Sequence, residues 1–180
     1  PDRWREALPA AEGGGVLLDL GVHLVDQALT LFGAVTHVYG EVGARRGGSD
    51  DDVFVALRHA SGVESHLWAS AVAAAPGPRL RVLGSRAAFT VPFLDCQEAD
   101  LQRGLLPDRP GFGVEPENHW GRLQHGDAGV PARSERGRWL TIYEGVRLAV
   151  QTGAPPPVAA GDAVQALDIL DTVRRVAAGD

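Results

Sequence analysis

The 180-residue sequence contains no lysine, no methionine and a single cysteine, Cys96. One cysteine cannot form a disulfide within the chain, which fits a reducing compartment. We therefore expect a cytoplasmic protein, with a signal peptide ahead of Pro1 left open. No apolar run is long enough to span a bilayer, so a membrane is not an expected partner. The net charge is −6 and the arginines are interspersed with acids, which argues against nucleic-acid binding.

The most informative stretch runs from Gly13 to Gly33, with glycines at both ends and no proline inside. At about 100° per residue its apolar side chains project onto one broad arc and its polar side chains onto a narrow opposite stripe, which predicts an amphipathic helix. Gly21 falls near the centre of the arc, so we expect the helix backbone to lie close against a sheet there. The arc contains Leu17, Leu18, Leu20, Leu24, Val25, Ala28, Leu29, Leu31 and Phe32.

The polar stripe carries Asp19, His23 and Asp26, spaced by four and three residues so that their side chains can meet on one helix face. Three interpretations are open. The stripe is a solvated helix face, as polar residues opposite an apolar arc usually are. The same residue types can ligate a metal, although no further His or Cys clusters beside them. Finally, Asp19 can orient the His23 imidazole and stabilise its charged form, making an acid–base pair.

The rest of the chain predicts a sheet followed by helices. Runs rich in β-branched and aromatic residues predict strands at 35–44, 53–59, 63–72, 79–83 and 87–91. The short link at 60–62 favours an antiparallel hairpin. Helices are expected at 95–104, 138–152 and 162–178. This order predicts an α+β fold, a mostly antiparallel open β-sheet with helices packed on one face.

Several polar residues lie outside the first helix. The acidic run Asp50-Asp51-Asp52 sits in a glycine-containing turn and is interpreted as a solvated loop rather than a cation site. His59 and His66 are expected on strand surfaces rather than as metal ligands. Residues 92–137, rich in proline, glycine and charge, are expected to form a long loop that covers a site or moves.

Three further side chains are weaker candidates. Cys96 has no assigned histidine partner, so it is weak support for a nucleophile. His119 is expected to pack at the surface, although substrate contact is the alternative. Tyr143, on the helix at 138–152, either packs with its hydroxyl at a rim or reaches the same cleft as His23.

The first helix also resembles a known family. Gly13-Gly14-Gly15-x-Leu17-x-Asp19-x-Gly21-x-His23-x-x-Asp26, followed by Leu31-Phe32-Gly33, is similar to the second domain of the glucose–fructose oxidoreductase, inositol dehydrogenase and rhizopine-catabolism (Gfo/Idh/MocA) family. The resemblance covers nearly the whole chain. Its weaker marks are Trp4-Arg5-Glu6, Asp51-Asp52, Asp95-x-Gln97-Glu98-x-x-Leu101-x-x-Gly104, Tyr143 and Pro155-Pro156-Pro157-Val158.

The resemblance implies a two-domain enzyme in which residues 1–180 are a single C-terminal substrate-binding and dimerisation domain. An N-terminal Rossmann domain, missing from this chain, is implied to bind NAD or NADP. His23 matches the family's proton-transfer residue, and Asp19 matches a residue that supports it or contacts the substrate. The lysine that completes the family's site belongs to a Glu-Lys-Pro motif of the first domain, and no such motif is present here.

The leading hypothesis is half of an NAD(P)-dependent oxidoreductase that transfers hydride between a nicotinamide and a polyol or sugar-like alcohol. Its catalytic residues are His23 and Asp19, and its substrate contacts are Asp19, His23 and Tyr143. No cofactor-binding or metal-binding residue is expected here, because Gly13-Gly14-Gly15 lacks the strand–turn–helix context of a dinucleotide fingerprint. The chain by itself is therefore expected to be inactive.

Two other classes of function stay open. One is a non-catalytic dimerisation or ligand-binding module of the same fold, forming a homo-oligomer through the sheet. The other is a metal-dependent hydrolase that uses Asp19 and His23.

Overall fold

The structure, a computed structural model, describes residues 8–179, which divide into two compact units. The first unit is drawn from Pro1–Ala74 and Val158–Asp180, and the second is Ala75–Pro157. The family mark Trp4-Arg5-Glu6 lies outside the described residues. The expectation of one domain over 1–180 stays a prediction.

The first unit is a three-stranded antiparallel sheet with helices on one face. Its strands lie in the order β1–β2–β3. A 3₁₀ turn, Ala10–Glu12, and a π-helical turn, Leu17–Gly21, precede the first helix. The regular elements are α1 (Val22–Phe32), β1 (Val35–Gly43), β2 (Asp52–His59), β3 (Glu64–Ser70) and, after the second unit, the final helix (Ala160–Ala178).

Alternation along β2 explains why one sheet face is covered. Val53, Val55 and Leu57 are buried and point to the helices, while the residues between them lie on the other face. The predicted hairpin between β2 and β3 is confirmed, with Phe54 paired to Trp68. The turn at 60–62 uses Gly62 at φ +84°, a left-handed conformation that favours glycine.

The core of this unit lies between the sheet, α1 and the final helix. Leu17, Val25, Leu170 and Val173 are all fully buried in it. Gly40 of β1 allows the final helix to approach the sheet, because a Cβ there would lie 2.6 Å from Cγ1 of Val173. An absent side chain therefore sets the spacing between helix and strand.

Two expectations about the first helix are wrong. Leu20 and Leu31, assigned to the buried arc, are 44% and 55% exposed. The predicted neighbour of Gly21 was a sheet, but a Cβ at Gly21 would lie 3.6 Å from Cδ2 of Leu170 on the final helix. The buried stripe is narrower than the arc because α1 packs mainly against the final helix and only to a small extent against β3.

The second unit contains a four-stranded antiparallel sheet in the order β4–β5–β6–β7. The expectation that residues 92–137 form a long loop is wrong at Gly121–His125 and Ala128–Ala132, which form strands. The short helix in this segment confirms the one expected at 95–104. The elements are β4 (Leu80–Leu83), β5 (Ala88–Val91), α2 (Gln97–Gln102), a 3₁₀ turn (Glu117–His119), β6 (Gly121–His125), β7 (Ala128–Ala132) and α3 (Leu140–Thr152). The final helix of the chain, Ala160–Ala178, is α4.

A buried carboxylate holds the connection after α2. Asp100 accepts a hydrogen bond of 2.7 Å from the backbone N–H of Gly113 and pairs with Arg103. The bond from Gly113, followed by the Arg103 guanidinium, holds the pKa of Asp100 below its usual range although burial opposes it. Phe112, beside this glycine, is fully buried.

The predicted α+β class with antiparallel pairing is confirmed, and the strands are divided between two sheets. Among residues 8–179, no helix combines the length and apolarity needed to cross a bilayer.

Candidate functional site

The two leading candidate residues lie at the start of the first helix. Asp19 is half-buried in the π-helical turn Leu17–Gly21, and His23 is exposed on the first turn of α1. The sequence predicts one continuous α-helix, in which a step of four residues overshoots a full turn by about 40°. A π turn holds more residues than an α turn, so it reduces this overshoot. The structure therefore places Asp19 about one turn before His23 at the start of the first helix.

The glycines before this turn are explained by close contacts. Gly15 has φ +97°, and a Cβ there would lie 2.1 Å from Oδ1 of Asp50. A Cβ at Gly14 would lie 1.8 Å from the carbonyl oxygen of Leu8, which also accepts a hydrogen bond from the hydroxyl of Ser49. Only residues without a side chain fit between these groups.

Asp50 is a functional candidate that its neighbours in the sequence do not indicate. Its carboxylate Oδ2 accepts a hydrogen bond of 2.7 Å from the backbone N–H of Leu17, and its carbonyl accepts one of 3.0 Å from Val16. Asp50 is only 7% exposed, so the interpretation of the acidic run as a solvated loop is wrong. No local pattern signals this contact, because its partners lie 33 residues apart.

The next acid, Asp51, is also buried and folds the loop onto itself. It accepts hydrogen bonds of 2.7 Å and 2.9 Å from the backbone N–H groups of Arg45 and Arg46. Burial by itself raises the pKa of Asp51, but these two bonds and the Arg46 guanidinium outweigh it and hold the pKa below its usual range. The run therefore contains two structural carboxylates.

The start of this helix does not fit a nucleotide phosphate. A helix binds phosphate through unpaired N–H groups at its N-terminus. Here the N–H groups of Val16 and Leu17 are bonded to Asp50, whose carboxylate would repel an anion. The segment also follows a 3₁₀ turn rather than a strand. The start of this helix therefore does not provide a phosphate site for a dinucleotide.

The two strand histidines differ in environment. His66 is exposed, as predicted, but His59 is only 2% exposed, so its placement on the strand surface is wrong. Its Nδ1 donates to the carbonyl of Gly33 at 2.7 Å, because a carbonyl can only accept, and its Nε2 lies 2.9 Å from Oγ of Ser65. His59 thereby ties the end of α1 to the hairpin.

Cys96 lies in a setting that opposes ionisation. Burial, together with the negative charges of Glu115 and Asp100, raises the pKa of the Cys96 thiol to about 11. A nucleophilic cysteine needs a lowered pKa. His119 has its ring 4.5 Å from that of Phe93 and its Nδ1 3.5 Å from Oε2 of Glu115. His119 therefore packs against Phe93 and Glu115 at the end of the 3₁₀ turn.

Tyr143 is 71% exposed on α3. It belongs to an apolar ridge of this helix, and none of the residues of α3 is buried. Because α3 is part of the second unit, the expectation that Tyr143 reaches the cleft of His23 stays a prediction. The other exposed ridge members are Trp139, Ile142, Val146 and Val150.

In the described part of the chain, no three His, Cys, Asp or Glu side chains are grouped so as to hold a metal ion. The geometry at Asp19, His23 and Asp26 therefore offers no support for the metal interpretation of the polar stripe.

Comparison with known proteins gives consistent matches. A sequence model of the GFO/IDH/MocA C-terminal domain matches residues 1–90. The chain is 29% identical over 175 residues to scyllo-inositol 2-dehydrogenase (NADP(+)) IolW of Bacillus subtilis (strain 168), covering 94% of this chain and 48% of that protein. It is 28% identical over 172 residues to the uncharacterized oxidoreductase YhhX of Escherichia coli (strain K12), covering 92% and 49%.

A solved structure agrees with these relatives. An oxidoreductase from Bacillus cereus superposes with a TM-score of 0.80 at 25% identity, covering 92% of this chain and 58% of that one. The chain thus spans about half the length of the relatives it matches.

Proposed function

Because the chain belongs to the GFO/IDH/MocA family, whose members matched above are oxidoreductases, we propose that it is the substrate-binding C-terminal domain of an NAD(P)-dependent oxidoreductase. The proposed reaction is hydride transfer between a nicotinamide and a carbon of a polyol or sugar-like alcohol. The nicotinamide accepts or supplies the hydride and is held by an N-terminal Rossmann domain, since the helix start here does not suit a phosphate. The single cysteine supports a cytoplasmic location.

The observation that carries the proposal is the placement of His23 and Asp19. His23 presents an exposed imidazole on the first turn of α1, and Asp19 precedes it by one turn. Imidazoles titrate close to neutral pH, which suits a group that takes a hydroxyl proton in oxidation and returns it in reduction. Asp19 is proposed to orient the imidazole and stabilise its charged form. Tyr143 is proposed as a further substrate contact.

The test uses the full-length protein with scyllo-inositol and NADP or NAD as first probes. We expect His23→Asn to lower kcat by about 10²- to 10⁴-fold, the usual contribution of a general acid or base. Asp26→Asn is the matched control, because Asp26 is exposed on the same stripe of α1. Unchanged turnover in His23→Asn would remove this residue from the mechanism. The 180-residue chain alone is expected to show no turnover.

The uncovered face of the first sheet supports a homo-oligomer. Tyr39, Phe54, His66 and Trp68, here called the aromatic face, lie opposite the helices, and the rings of Phe54 and Trp68 are 4.9 Å apart. Trp68 is 66% exposed, and a groove of about 480 Å³ opens beside it. Exposed apolar patches of this kind mark interaction surfaces. We propose that a second copy covers this face in a two-fold dimer.

Sedimentation of the full-length protein tests the dimer. Trp68→Arg is expected to shift it towards the monomer, whereas Gln165→Arg, on the exposed side of α4, leaves it dimeric. If Trp68→Arg sediments as the wild type does, the face is not the contact. The aromatic face also favours the alternative function, a non-catalytic dimerisation module, which predicts a dimer together with no turnover in any full-length assay.

A further inference from the structure

We propose that Asp50 is a positioning residue for the pair formed by Asp19 and His23. This inference rests on the proposed function, because the pair is assigned there. Asp50 lies in the loop before β2 and does not belong to the polar stripe. Its role is to fix the start of the π-helical turn from outside the helix.

The contacts of Asp50 reach the turn at two points. Its carboxylate bonds the backbone N–H of Leu17, the first residue of the turn, at 2.7 Å, and its carbonyl bonds that of Val16 at 3.0 Å. A helix start normally leaves such N–H groups to a side chain a few residues earlier in the chain. Here the capping group comes from the loop before a strand. The orientation of the helix is therefore tied to the sheet.

The contact is continued on both sides. The Asp50 carboxylate occupies the space that a Cβ of Gly15 would fill, and the carbonyl of Gly15 accepts a hydrogen bond of 3.1 Å from the N–H of Asp19. On the other side, the N–H of Asp51 bonds the carbonyl of Gly43 at 2.9 Å, where β1 ends. A short bonded path thus runs from the sheet through Asp50 to Asp19.

The π turn makes this anchoring consequential. Such turns are uncommon and are often found at functional sites. Relaxation of the turn to an α-helix would restore the full overshoot of about 40° between Asp19 and His23. The direction of Asp19 relative to His23 would therefore change. Asp50 opposes this relaxation by holding Val16 and Leu17 in place.

The experiment compares variants of Asp50 in the full-length protein with the scyllo-inositol and NADP probe. Asp50→Ala removes the acceptor, and we expect kcat to fall at least tenfold while KM changes less than about twofold. Asp50→Asn keeps an acceptor oxygen of the same size and is expected to restore kcat to within about threefold of the wild type. Glu64→Gln, which removes an exposed carboxylate from β3, is the control and should leave kcat unchanged.

Hydrogen exchange supplies a readout that does not depend on turnover. Exchange of the amides from Leu17 to His23 is expected to accelerate at least tenfold in Asp50→Ala and to stay near the wild-type rate in Asp50→Asn, with β2 and β3 unchanged. If Asp50→Ala does not fold, Asp50→Glu takes its place. That variant keeps the charge but displaces the carboxylate by one methylene, and the same losses are expected.

The outcomes separate this inference from the proposed function. The positioning role is overturned if Asp50→Ala or Asp50→Glu keeps the wild-type kcat, or if Asp50→Ala and Asp50→Asn lower kcat equally. The His23→Asn variant still tests the proposed chemistry in either case. If the wild type shows no turnover, the proposed function fails with these probes. Hydrogen exchange then tests whether Asp50 anchors the π-helical turn. Unchanged exchange between Leu17 and His23 then overturns it, and selective acceleration supports it.

Discussion

Gly40 is the point at which a single methyl group tests the packing of α4 on the sheet. A Cβ at this position would lie 2.6 Å from Cγ1 of Val173 and 3.3 Å from its Cβ. Unstrained carbon contacts are about 3.5–4.0 Å, so strand and helix would have to separate by roughly 1 Å. Valine is stiff and buried here, which leaves no rotamer to relieve the contact. We expect Gly40→Ala to lower the free energy of unfolding by about 1–3 kcal/mol, the usual cost of overpacking.

A double-mutant cycle isolates this contact. Val173→Ala alone removes two buried methyl groups, worth about 1.6 kcal/mol at 0.8 kcal/mol each, plus a term for the cavity. The double variant should be more stable than the sum of the single effects by about 1 kcal/mol or more, because the new methyl occupies the space that the valine vacates.

Urea denaturation of the 180-residue chain measures these differences. A loss of 2 kcal/mol shifts the midpoint by about 1 M at a typical slope for this size. Gly161→Ala on α4 is the control, because a Cβ there meets nothing within 4 Å and alanine favours a helix. A midpoint for Gly40→Ala equal to that of the wild type, or strictly additive effects in the double variant, would refute the packing argument.

Three further predictions concern buried polar groups. His59→Ala should lower the free energy of unfolding by about 3 kcal/mol, because the carbonyl and hydroxyl that bond its ring lose a partner, while His37→Ala, on an exposed ring, changes it by less than about 0.5 kcal/mol in the same urea assay. The pKa values of Asp51 and Asp100 are lower in the folded chain than in an unfolded one, so their stabilisation is complete above about pH 4–5 and is lost as the pH falls through the folded values. The urea midpoint should therefore drop on acidification, and a drop that is undiminished in Asp51→Asn would contradict that carboxylate's part in it. With a pKa of about 11, roughly one Cys96 thiol in a thousand is ionised at pH 8, so alkylation by iodoacetamide should be at least tenfold slower than for a cysteine in the urea-unfolded chain, and equal rates would contradict the assignment.

Local periodicity carried much of what could be predicted. The spacing of apolar residues located the first helix, and the polar stripe placed His23 and Asp26 on its exposed side, as the structure confirms. Turn residues at 60–62 predicted the hairpin, and the family was identified from the Gly13–Asp26 pattern. Each of these signals comes from residues close together in sequence, where helix and strand geometry act directly.

What the sequence missed depends on contacts between distant segments. In the sequence, Asp50 is one acid in a polar turn. No neighbouring residue indicates that its carboxylate accepts a hydrogen bond from the N–H of Leu17. In the sequence, His59 is a histidine at the end of a strand. Only the fold brings the Gly33 carbonyl and the Ser65 hydroxyl within hydrogen-bonding distance of its ring. The strands of 121–132 escape detection because proline, glycine and charge dominate their surroundings.

By itself the sequence determined which residues form the first helix, which side of it stays polar, and to which family the chain belongs. The tertiary structure alone decided that the helix opens in a π turn, that Gly21 meets α4 rather than the sheet, and that a carboxylate from the loop before β2 caps Leu17. Periodicity specifies the faces of an element but not its neighbour. Which neighbour an element has depends on how the separate elements pack around one core. That packing buries Asp50, which the sequence pattern predicts to be solvated.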